Sequence, residues 1–143
     1  FATIVWSLPE RNPMLNLPLS AVERRIGPQT SAAVHLALSM GQPGVLDDTL
    51  KAIGFTDVSV QAVPASRRAA SVDTMLQTMR GGPAAETIGL LPEAQRDEAW
   101  GEVEAELRRY QRPDGIEVPG ELLFGVGDEL AHLAENLQKS HRT

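Results

Sequence analysis

The sequence has no cysteine, which removes disulfides, thiolate nucleophiles and thiolate metal sites together and fits a reducing, cytoplasmic setting. Histidine is nearly as scarce. His35, His132 and His141 stand far apart, without the spacing of a metal-binding helix, so metal ligation has no support. No Gly-x-Ser-x-Gly elbow marks a serine nucleophile. No window approaches the ~18–20 apolar residues that cross a bilayer, and no basic stretch precedes the apolar start, so neither a membrane segment nor a signal peptide is read here. Positive charge is the minority: 13 Lys and Arg stand against 19 Asp and Glu, for a formal charge of -6. The basic pairs Arg24-Arg25, Arg67-Arg68 and Arg108-Arg109 are scattered and read as solvated faces, which argues against a nucleic-acid surface.

What is present suits one globular domain: 143 residues, 42% of them hydrophobic, enough to bury roughly 68–70% of the unfolded surface. The run Phe1-Ala-Thr-Ile-Val-Trp6 is nearly all apolar and β-branched at its centre, which predicts a strand covered on both faces as in a parallel sheet. Pro9 and Pro13 then frame a loop. A helix is expected over 15–26, stopped by Gly27-Pro28, and a second over 45–53, stopped by Gly54, with Asp47 and Asp48 at its favourable end. Residues 55–63 alternate as a half-buried strand. Ser71 caps a helix with Val72, Met75, Leu76 and Met79 on one face, ended by Gly81-Gly82-Pro83. Pro92 opens a long helix to about Tyr110, with Trp100, Val103 and Leu107 inward and Glu104 and Arg108 paired outside. Turns at Pro113-Asp-Gly115 and Pro119-Gly120 precede a strand over 122–126. A final helix carries Leu130, Leu133 and Leu137.

The segment Gly41-Gln-Pro-Gly-Val-Leu-Asp-Asp-Thr-Leu-Lys-Ala-Ile-Gly-Phe-Thr-Asp-Val-Ser-Val60 resembles a recurrent stretch of class I S-adenosylmethionine-dependent methyltransferases, a helix opening near Pro-Gly and turning through Gly-Phe into the sixth strand. The loop Trp6-Ser-Leu-Pro-Glu-Arg-Asn-Pro13 is similar to the one after the fifth strand in the ubiquinone and menaquinone biosynthesis subgroup, and 114–126 to its run into the last strand. The resemblance covers residues 1–127 and leaves 128–143 as a helical tail. It implies an α/β fold, the carboxyl-terminal part of a Rossmann-like seven-stranded sheet with a helical insertion before the last strand. The glycine-rich motif, the acidic end of the second strand and the fourth strand's loop would all precede Phe1, so the start reads as truncated and the chain alone is expected to bind no methyl donor.

The best site candidates are Trp6, Glu10, Arg11 and Asn12, because ligands of open α/β sheets bind outside the carboxyl ends of strands. They are expected to contact a small acceptor, and no catalytic residue is assigned, since methyl transfer of this kind leans on proximity and orientation. Gly125-Val-Gly-Asp128 lacks the third glycine of a dinucleotide fingerprint. Met75, Met79 and Trp100 read as core. The implied sheet order, with the fifth strand between the fourth and the seventh, leaves the first strand's edge bare and predicts a homodimer through it. The alternative to the enzyme is a non-catalytic, truncated paralogue acting as a dimerisation or interaction module.

Overall fold

A computed structural model describes residues 1–128 and 137–142. The first strand, β1 (Ala2–Trp6), runs into a 3-10 turn at Pro9–Arg11 and then helix α1 (Pro13–Ile26). The helix begins at Pro13, two residues earlier than the spacing predicts, because a proline at the first position has its φ preset and gives up an N–H that no helix would use. A short α2 (Ala32–Ala37) leads to α3 (Val45–Ile53). Gly54 closes α3 in the left-handed conformation, φ 114, and the chain turns into β2 (Thr56–Pro64). The segment after it holds β3 (Arg67–Ala69), α4 (Val72–Arg80), α5 (Pro83–Ile88), α6 (Glu93–Leu107), β4 (Gln111–Arg112) and β5 (Gly115–Val118). The last described strand is β6 (Glu121–Asp128). Leu130 and Leu133 of the expected final helix lie outside the described residues, and Leu137 is exposed. No helix among the described residues is long and apolar enough to cross a membrane.

Two small antiparallel sheets result, ordered β1-β6-β2 and β3-β5-β4. The expectation of a doubly covered, parallel first strand is therefore corrected. β1 is antiparallel to β6, with Ile4 opposite Phe124 and Val5 opposite Leu123. One face of this sheet lies on α3, where Leu46 and Leu50 pack over Gly125. The other carries Ile4, Trp6, Phe124, Val126 and Val63, all at least partly exposed. An apolar run thus marked a strand without specifying how many of its faces are covered.

The segment between β2 and β6 is also less purely helical than expected, since it contributes the second sheet. The larger core sits there. Met75, Leu76 and Met79 of α4, Ile88 of α5, Trp100, Val103 and Leu107 of α6, and Ile116 and Val118 of β5 close on Ala21 and Val22 of α1. Ser71 caps α4 as its sequence predicts, its Oγ accepting the Thr74 N–H at 3.1 Å. Arg24 and Arg25 reach from α1 to Glu102 on α6, Arg25 at 2.5 Å.

Candidate functional site

The loop after β1 is held by a small polar knot. Asn12, almost wholly buried, accepts the Glu121 N–H on Oδ1 at 2.9 Å and donates from Nδ2 to the Leu8 carbonyl at 3.0 Å. The Glu121 carboxylate accepts from Ser7 Oγ at 2.7 Å and meets Arg11 at 3.3 Å. The loop is thereby pinned to the first residue of β6, which is itself the strand that β1 pairs with. Proline supplies the rest of its shape. Pro9 and Pro13 each occupy the first position of a helical turn and leave few conformations to the residues between them.

Above the pinned loop lies a cleft of about 360 Å³. It is lined by Trp6 and Asn12, by Met14 and Leu15 of α1, by Ala65, Arg67, Pro119 and Gly120, and by Thr78 and Met79 near the end of α4 with Gly81–Ala84 after it. Ala65 and Gly120 lie together in a backbone approach that a side chain would block. A Cβ on Gly120 would collide with the Ala65 carbonyl, while the Ala65 N–H donates to the Gly120 carbonyl at 2.9 Å.

Of the four residues the sequence singles out, the structure brings Trp6 and Asn12 into this cleft and leaves Glu10 and Arg11 outside it. Glu10 is exposed, and Arg11 is engaged with Glu121. Met79, read as core, is buried and also faces the cleft. Arg67 is the residue the sequence reading missed, having been taken for half of a solvated pair. Its neighbour Arg68 does pair outward with Glu117 at 3.4 Å. Arg67 lines the cleft, and among the described residues its side chain meets no carboxylate and makes no hydrogen bond.

The glycines of β6 serve packing. Beside Gly125 a Cβ would press on Leu46 and Leu50 at 3.1 and 3.2 Å, and at Gly127 one would meet the Phe55 Cβ at 2.8 Å. Phe55 stacks on Phe1 with ring centroids 4.6 Å apart. These glycines let α3 and the Phe55 ring lie close on the sheet; they do not form a loop that could cradle a cofactor. No protein-family model matches the chain, and no curated protein matches it.

Proposed function

We propose that these residues form the acceptor-binding part of a class I S-adenosylmethionine-dependent methyltransferase, with the cleft over Trp6 and Asn12 as the acceptor site. The observation that carries the reading is the position of that cleft. It opens at the carboxyl end of β1, where an open α/β sheet receives its ligand, and is lined in part by the segment inserted between β2 and β6. The strand order agrees with the resemblance: the strand that would be seventh lies against the one that would be fifth.

The glycine pair Gly125 and Gly127 offers no loop for the methyl donor, because it lies inside a strand with side chains closed over it. What this chain supplies is orientation. Trp6, Met14, Leu15 and Met79 give an apolar lining against which a small molecule is oriented, and Asn12 holds the loop beside it in place. The protein as isolated from its host, incubated with methyl-labelled S-adenosylmethionine and small molecules extracted from that host, is expected to pass label to a small molecule. The 143-residue chain by itself is expected to bind the donor more weakly than micromolar in calorimetry. A protein isolated from its host that neither binds the donor nor labels any small molecule would sink the reading.

A second reading, a non-catalytic module that associates with its own copy, is favoured by the edge of β1. The Phe1 and Gly127 main chains exchange both hydrogen bonds, each 3.1 Å long. In antiparallel pairing the alternate residues Ala2, Ile4 and Trp6 therefore point their N–H and C=O groups away from β6.

A further inference from the structure

We infer that the cleft takes a small aromatic monocarboxylate, with the ring between Trp6 and Met79 and the carboxylate on Arg67. This deepens the acceptor-site reading and rests on it for the cleft's role, though not for its chemistry. Three observations point to it. The cleft walls are mostly apolar, and its volume of about 360 Å³ lies at the small end of the ~300–1,000 Å³ range of small-molecule pockets. An indole and a thioether are good partners for a flat ring, the sulfur because it is polarisable and sits well at a ring edge. The single cation at the wall, Arg67, has no partner among the described residues.

That last point sets the charge of the ligand. The neighbouring arginines are occupied: Arg11 by Glu121, Arg68 by Glu117, and Arg80 over the Trp100 ring at 4.8 Å. One free guanidinium offers a planar fork of N–H donors that matches one carboxylate in two parallel hydrogen bonds. A phosphate dianion would call for a second positive group, and the described residues lining the cleft include none. Of the other lining polar side chains, Thr78 donates to the Thr74 carbonyl and Asn12 is bonded on both sides, while the Trp6 indole N–H is one further donor. The cleft thus offers a flat apolar surface and donors only, which suits one ring and one negative group.

The test uses the full chain with benzoate and 3-phenylpropionate as probes and their uncharged amides as controls, followed by the Trp6 indole resonance in NMR titrations. The carboxylates are expected to shift that resonance and to bind about tenfold or more tightly than the amides. Arg67→Gln should abolish the difference, while Arg68→Gln should leave it intact. Arg67 is exposed on a short strand, so its variant should fold, and its circular dichroism spectrum checks that it does. Amides that bind as well as carboxylates overturn the inference but leave the cleft as an acceptor site. Probes that leave Trp6 unmoved overturn it as well. Carboxylate binding in a gene product that transfers no methyl group keeps the inference and sinks the methyltransferase reading instead.

Discussion

Asn12 accepts from one strand and donates back into its own loop, so removing its side chain leaves the part-buried Glu121 N–H without its partner, while the Leu8 carbonyl keeps the Arg11 N–H at 3.0 Å. Asn12→Ala is expected to cost ~1–3 kcal/mol, since an unsatisfied buried group is penalised by its full desolvation. A urea midpoint unchanged from the parent would refute that role. The sequence made Asn12 conspicuous by setting it before Pro13 in a loop at a strand end, but spacing alone did not separate a residue that touches a ligand from one that shapes the site. For Arg67 the signal was weaker still. Successive residues of a strand point to opposite faces, which sends Arg68 to Glu117 and Arg67 to the cleft. Arg-Arg-Ala carries no apolar alternation from which a strand could be read. Gly54-Phe55 was legible as the turn from helix to strand, and Phe55 is half-buried there with Phe1 stacked on it.

Helices α3, α4 and α6 were legible nearly to their ends because their determinants are local: Gly54 at a left-handed stop, Ser71 at a cap, and Val103 and Leu107 on one stripe. The contacts between helices were not, and ion pairs across them add a pH dependence. Burial disfavours the charged form of Glu102, but hydrogen bonds from Arg25 and Arg24 and their charges outweigh it and hold the carboxyl below its ordinary value of 4.5. Glu23 is treated alike, burial being outweighed by hydrogen bonds from Ser31 and His35. Both acids are weaker proton acceptors folded than unfolded. Their stabilisation is whole above pH 4.5 and is lost as pH falls through the lowered folded values. Glu102→Gln should lower stability at neutral pH by ~0.5–1 kcal/mol, the exposed Arg24 arm adding little, and should flatten the acid limb of a stability profile. Should the variant and the parent lose stability in parallel between pH 5 and 3, the α1–α6 pairs would have no part in it.

At the scale of the whole molecule, β1 is the exposed flank. Its outward groups are those of Ala2, Ile4 and Trp6, and they are centred on Ile4, so a second copy related by a two-fold axis there sets Ala2 against Trp6. Part of the edge is already closed, since Gly41 comes so near the Trp6 carbonyl that a Cβ would collide with it. The expected homodimer thus has the Ile4 pair on the axis as its main contact. Light scattering at micromolar concentration should give twice the chain mass, and the Ile4 amide should exchange slowly in the dimer and quickly on dilution. Val5 carries no information here, because its groups face β6 in either state. A monomer at all concentrations with a fast-exchanging Ile4 would remove the dimer. A strand's period says which face is apolar and nothing of the strand it meets, so the β1–β6 neighbourhood was legible only through the order that the resemblance implies.

The place of β6 between β1 and β2 also orders events in time. On the ribosome both outer strands emerge before the strand that joins them, and Phe1 meets Gly127 across a separation of 126 residues. Contacts so distant pay their loop-closure entropy late and slow a folding reaction. The core of α1, α4, α5, α6 and β5 has no such wait, since all of it precedes β6. This core can therefore condense first, and β6 can then close the β1-β6-β2 sheet against the molecule as its last long-range step.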